Sequence, residues 1–199
     1  KPEPKRPDAK VEQPIRPVRQ VSLDTVAYAG ESRSHYTLSR VHGKGGLGQV
    51  WLAIDGQLNR EVALKEIRPD KGENTEGSAR LIKEAQITGQ LEHPNIIPVY
   101  ELERGKDGET PFYTMRFLRG RTLKERIDEY HKLRQAGQTD RLELRQLLSI
   151  FVGVCNALAY AHSRGVVHRD LKPHNVMLGD FGEVIVIDCG IEAIDDGLA

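Results

Sequence analysis

The segment Gly43-Lys44-Gly45-Gly46-Leu47-Gly48 spells G-x-G-x-x-G, and its surroundings constrain the fold more than any other feature of the chain. Glycines at this spacing let backbone N–H groups approach phosphates closely. In a dinucleotide-binding fold the same string follows a strand and opens a helix. Here Tyr36-Thr37-Leu38-Ser39-Arg40-Val41 alternates before it, and Gln49-Val50-Trp51-Leu52-Ala53-Ile54 after it is rich in strand-favouring residues. The loop therefore joins two strands, as a lid over phosphates would. Alone the string is a weak signal, because any flexible hairpin can produce it.

The pattern continues as strands, then helices. Asp55-Gly56 marks a turn, and Glu61 to Ile67 reads as a third strand. Ser78 to Leu91 reads as a helix with Leu81, Ala85, Thr88 and Leu91 along one side. Short strands are expected near Ile97–Tyr100 and Phe112–Phe117. After Gly120 the chain turns mostly helical, with its longest apolar helix from Leu142 to about Ser163. Val176–Leu178 and Val184–Ile187 flank Gly179-Asp180-Phe181-Gly182, a hairpin signature. A β-rich first half and a helical second half predict an α+β fold of two lobes joined near Leu118-Arg119-Gly120.

Composition narrows the function classes. The 29 Lys+Arg balance the 29 Asp+Glu of the 199 residues, which argues against a nucleic-acid coat. No uninterrupted apolar run approaches the ~18 residues of a transmembrane helix, so no membrane segment is expected. Two cysteines, Cys155 and Cys189, are too few for a disulfide scaffold and suggest a reducing, cytoplasmic setting. The first twenty residues carry five of the ten prolines and six Lys/Arg, the composition of a solvated linker.

Chemistry concentrates at three places. Lys65, on a strand with Ala63 two residues before it on the same face, would be an ordinary wet strand-end lysine if nothing met it. Glu84 supplies a partner: it shares the inward stripe of its helix, where a lone carboxylate is costly unless a cation meets it. The densest string is His168-Arg169-Asp170-Leu171-Lys172-Pro173-His174-Asn175, just after an apolar helix and Val166-Val167.

With these motifs in order, Tyr36 to about Ile191 resembles the eukaryotic-like Ser/Thr protein kinases, bacterial branch. The resemblance implies a bilobal fold: a Pro-rich basic linker over 1–35, an N-lobe over 36–118, and a partial C-lobe over 119–199 that ends early in the activation segment. It implies ATP and Mg2+ as cofactors and transfer of the γ-phosphoryl to a Ser or Thr hydroxyl of a protein substrate. Asp170 would orient the hydroxyl and take its proton, and Lys172 would steady the transferring group. Lys65, fixed by Glu84, would grip phosphate oxygens, and Asn175 and Asp188 would hold magnesium. Gly43, Lys44, Gly45, Gly46 and Gly48 would form the lid. Val50, Ala63 and Met177 resemble the apolar plates around adenine, Met115 the gatekeeper, and Arg116-Phe117-Leu118 the hinge.

Asp180-Phe181-Gly182 spells the family's D-F-G, but it sits five residues after Asn175, between two short apolar runs. In the family the metal-binding D-x-G follows the hairpin's second strand, and Asp188-Cys189-Gly190 occupies that place, 18 residues after Asp170. Asp188 is the expected ligand, and Asp180 a turn residue. His168 reads as scaffold and Cys189 as a small buried side chain. Nine residues follow Gly190, so the expectation is an incomplete catalytic domain. The rival expectation is a nucleotide-binding but inactive, pseudokinase-like regulatory module. On either, apolar surface should stay exposed beside the Leu142–Ser163 helix, and the tail after Gly190 should lack regular structure.

Overall fold

The computed structural model describes residues 32–45, 48–68, 75–105, 110–138 and 141–188, with the backbone alone of 192–193. Its first half is one antiparallel sheet in the order β1-β2-β3-β4-β6-β5, formed by Ser32–Arg33 (β1), Tyr36–Lys44 (β2), Gly48–Asp55 (β3), Arg60–Ile67 (β4), Val99–Glu103 (β5) and Phe112–Arg116 (β6). Side-chain alternation gives this sheet two apolar faces. Tyr36, Leu38, Ala53, Val62, Leu64 and Phe112 form the outer core, with Trp51 packed against it. Ala63, Tyr113 and Met115 share the inner core with Leu81 and Ala85 of helix α1, Thr75–Thr88.

Two expectations shift here. The sheet begins at Ser32, whose strand pairs with Tyr36 and Thr37, so order starts before the expected boundary at Tyr36. Residues 1–31 of the expected linker lie outside the described residues. Helix α1 stops at Thr88 rather than Leu91: Gly89 N–H still reaches Ala85 O at 2.9 Å, and Leu91 N–H closes a turn on Thr88 O at 3.0 Å. Leu91 is buried as expected, but past the helix end and in the core of the second lobe.

The second lobe starts at a position that only glycine fits. Gly120 has φ +140°, and a Cβ there would lie 2.0 Å from Leu178 O. It opens β7, Gly120–Thr122, which pairs with β9, Val176–Gly179; β9 pairs in turn with β10, Val184–Val186. Helix α2, Leu123–Gln135, begins with a capping box: Thr122 Oγ1 accepts from Glu125 N–H, and Glu125 Oε2 accepts from Thr122 N–H at 2.6 Å. The β9–β10 turn falls on residues 179–182, with Gly182 at φ +87° and Phe181 almost fully exposed at the tip.

Helix α3, Arg141–Ser163, matches the expected element. Val154, Ala157 and Ala161 enter the second core with Val166, Val176 and Val186. Leu142, Leu144, Leu148, Phe151 and Val152 stay exposed, the uncovered apolar face that the sequence implied. With 23 residues and mean hydropathy 1.4 over its apolar window, α3 is long and apolar enough, by length and composition, to cross a bilayer. Scattered polar residues, among them Ser149 and Asn156, break its apolar runs. The tail also differs from expectation: Glu192–Ala193 (β11) pairs with Val166–Val167 (β8). Cys189, expected as a small buried side chain, lies outside the described residues.

The lobes touch at a second place besides the chain connection. Val186 N–H donates to Asn95 O at 2.8 Å, and Ile97 N–H donates to Val186 O at 3.1 Å. Asn95 Nδ2 adds a bond to Val184 O at 2.8 Å.

Candidate active site

Strand β4 presents Lys65 on the inner face, and α1 presents Glu84 toward it. Lys65 Nζ donates to Glu84 Oε1 at 2.6 Å and to Asp188 Oδ1 at 2.8 Å. Burial pulls the lysine pKa down, but the Glu84 and Asp188 carboxylates outweigh it and hold the ammonium above its ordinary range. Tyr113, paired with Lys65 across β4 and β6, donates its hydroxyl to Glu84 Oε1 at 2.7 Å. Glu84 is thus aimed by two donors from neighbouring strands. Sequence reasoning misses Tyr113, because its role follows from strand register.

The catalytic-loop string forms a second cluster after β8. Lys172 Nζ donates to Asp170 Oδ2 at 2.6 Å, and Asn175 Nδ2 donates to the same oxygen at 3.1 Å and to Asp170 O at 2.9 Å. The Lys172 bond, reinforced by Asn175, holds the Asp170 carboxyl below its usual range and keeps it ionised. His168 is buried and its Nε2 meets Ile187 O at 3.0 Å, a scaffold contact. Ile187 N–H donates to Asn175 O at 2.9 Å, so the backbone just before Asp188 is tied to the catalytic loop. Arg169 and Asp188 both adopt positive φ, +57° and +54°. Asp180 sits instead in the β9–β10 turn, in electrostatic contact with Arg119.

Above these groups lies the glycine hairpin. Gly43 and Lys44 pair with Val50 and Gln49, and Gly45 N–H donates to Gly48 O at 2.8 Å. Gly46 lies outside the described residues. A Cβ on Gly48 would come within 3.1 Å of Glu66 O, so β3 rides close on β4 here. Val50, Phe117, Leu118 and Met177 gather around the buried Ala63 and Met115, which brings the expected plates, gatekeeper and hinge into one apolar group. His42 packs edge-on to Phe117, ring centroids 5.0 Å apart, another contact no local pattern announces. Arg116 turns to the second lobe, where its Nη2 donates to Glu183 Oε1 at 2.6 Å. A separate groove of about 670 Å³, lined by Gly120, Arg126, Ile150 and Leu178 among others, shares no residue with either cluster.

Among the described residues no three His, Cys, Asp or Glu side chains group as a metal cage. The donor set suits a hard divalent ion held in part by its substrate: one carboxylate at Asp188 and the amide oxygen of Asn175.

A glycine hairpin, a paired lysine and a charged loop thus gather beside one apolar group, the parts that a phosphate-transfer site needs. The family described as protein kinase domain matches residues 36–194, and the chain belongs to it. It is 43% identical over 164 residues to the serine/threonine-protein kinase PknD of Protochlamydia amoebophila (strain UWE25), covering 81% of this chain and 16% of that protein. It is 42% identical over 157 residues to PknD of Chlamydia trachomatis serovar D, covering 78% of this chain and 17% of that protein. The chain therefore spans under a fifth of the length of these curated relatives. The crystal structure of a point mutant of the Mycobacterium tuberculosis PknI kinase domain superposes with a TM-score of 0.62 at 27% identity, covering 84% of this chain and 64% of that one. The fold is the bilobal protein-kinase fold, shared with a family described as the protein kinase domain.

Proposed function

We propose that this chain carries the nucleotide cleft and catalytic loop of an ATP-dependent kinase acting on Ser or Thr hydroxyls of a protein substrate in the cytoplasm. The observation that carries the reading is Lys65 held between Glu84 and Asp188, so that β4, α1 and the segment after β10 meet at one nitrogen. Lys65 is placed to take phosphate oxygens, and Glu84 keeps it aimed. Asp188 and Asn175 would hold the magnesium ion, which neutralises phosphate charge when bound. Met115, Phe117 and Leu118 would bound the adenine side, with Val50, Ala63 and Met177 as apolar plates. Gly43, Lys44, Gly45, Gly46 and Gly48 would cover the phosphates and keep water out. Asp170, kept ionised by Lys172, would orient the substrate hydroxyl and accept its proton as oxygen bonds to phosphorus.

A second reading is a nucleotide-binding module that regulates a partner without turnover. Asp170 favours it, since its side chain is 65% exposed and rests on local contacts alone. Titration of Mg-ATP alongside a phosphotransfer assay on a Ser/Thr protein separates the two. Binding with transfer supports the kinase reading, binding alone supports the module, and no binding defeats both.

A further inference from the structure

On the outer face of the sheet, directly behind the lysine of the cleft, sits a carboxylate the family chemistry does not use. Glu66 is buried to 2% exposure. Its Oε1 accepts from Gln49 Nε2 at 2.9 Å and from Trp51 Nε1 at 2.8 Å. Its other oxygen faces Arg33 Nε of β1 at 3.5 Å. Gln49 and Trp51 bracket Val50, and alternation turns Val50 to the inner face while its two neighbours reach Glu66. Gln49 also follows Gly48 directly, where a Cβ would come within 3.1 Å of Glu66 O.

We propose that Glu66 is a positioning residue for nucleotide binding. It latches the start of β3 from behind, so that the glycine hairpin and Val50 keep their height above the cleft. The proposal rests on the nucleotide-cleft reading given above. The latch is bifurcated: one oxygen holds two side chains that flank the residue to be positioned. Removing it leaves two inward-held donors without an acceptor, and they can regain partners only if β3 lifts toward water. Lifting β3 lifts the roof. Arg33 adds a tie from β1 to the same carboxylate, which makes the sheet's edge strand part of the roof's support.

The chain has one tryptophan, so Trp51 emission reports this latch directly. The test is calorimetric titration of Mg-ATP into the full chain and into Glu66→Gln, Glu66→Leu and Arg33→Ala, with thermal melts and Trp51 emission recorded on each. Glu66→Gln keeps an acceptor for both donors and should bind like wild type. Glu66→Leu should stay folded yet bind about tenfold more weakly, the scale expected when a positioned group shifts by a fraction of an ångström. Arg33→Ala should fall between them, and the emission change on binding should vanish only in Glu66→Leu. If Glu66→Leu does not fold, the double variant Gln49→Leu with Trp51→Phe removes both donors and leaves the carboxylate; it should show the same loss. Equal affinity of wild type and Glu66→Leu (or the double variant) overturns the latch and leaves the cleft reading standing. So does Glu66→Gln binding as weakly as Glu66→Leu. Absence of binding by wild type removes the cleft reading itself, and the latch with it.

Discussion

Lys65 and Asp188 stand 123 positions apart in the chain, yet the lysine Nζ lies 2.8 Å from the carboxylate Oδ1. One residue is fixed by an antiparallel strand in the first lobe, the other by the end of a hairpin in the second. Their contact is the shortest physical statement of why the two lobes must come together for this cleft to exist.

On the proposed function, replacing Lys65 with Met should weaken Mg-ATP binding by at least about tenfold, because a preorganised charge facing the phosphates would be lost. Stability should fall by about 1–3 kcal/mol, since Glu84 keeps its Tyr113 bond but loses its cation. The pairing raises the lysine pKa above 10.5 in the folded state, so its stabilisation is complete below that pH and fades as pH climbs through the raised value. Calorimetric titration and melting curves read both effects. Unchanged affinity would reject the assignment.

Asp188→Asn and Asp180→Asn discriminate the two aspartates. Asp188→Asn should abolish the magnesium dependence of nucleotide binding, while Asp180→Asn, in the β9–β10 turn, should leave it within about twofold of wild type, as surface changes usually do. The reverse pattern would move the metal site to the hairpin.

Gly120→Ala should cost about 2 kcal/mol or more, because a Cβ there would overlap Leu178 O at 2.0 Å and the φ of +140° disfavours any side chain. Chemical denaturation measures it. A change under about 0.5 kcal/mol would mean the junction relaxes freely.

Asp55 gives a pH prediction of opposite sign. Burial pushes its carboxyl up, but N–H bonds from Leu58 and Gln57 and the Arg60 guanidinium outweigh this and hold it below 3.8. Its contribution is therefore present above pH 3.8 and is lost as pH falls through the depressed value. Asp55→Ala should flatten the acid limb of the stability curve and cost about 1–3 kcal/mol near neutrality, read from acid titrations of both proteins. An unchanged acid limb would point to another group.

Two faces of α3 should respond differently. Val154→Ala, in the core, should cost about 1–3 kcal/mol, whereas Phe151→Ser, on the open face, should stay within about 0.5 kcal/mol. Equal costs would mean that Phe151 is covered in solution.

Much of the cleft is legible in the sequence because strand alternation and helix period are local. Ala63 and Lys65 share a face by spacing alone, and Leu81 to Glu84 is one helical step. The string around Asp170 is legible as letters, and its hydrogen bonds to Lys172 and Asn175 close within six residues. What escapes depends on register between distant segments. Tyr113 reaches Glu84 only because β6 is set against β4 at that offset. Glu66 meets Gln49 only because β3 and β4 pair one-to-one along their length. The apolar period carries the expected helix on to Leu91, past its true stop, because Gly89 ends the helix without breaking the apolar spacing. The pairing of β11 with β8 escapes because Glu192-Ala193, unlike Val166-Val167, carries little strand signal in its letters.

The bonds of Asn95 and Ile97 to β10 have a mechanical consequence. With the chain crossing near Gly120 as one joint, they make a second, and two joints define an axle. Rotation about that line is the relative movement of the halves that would leave both joints intact. Such a turn would stretch the Lys65–Asp188 contact, which lies across the gap like a catch.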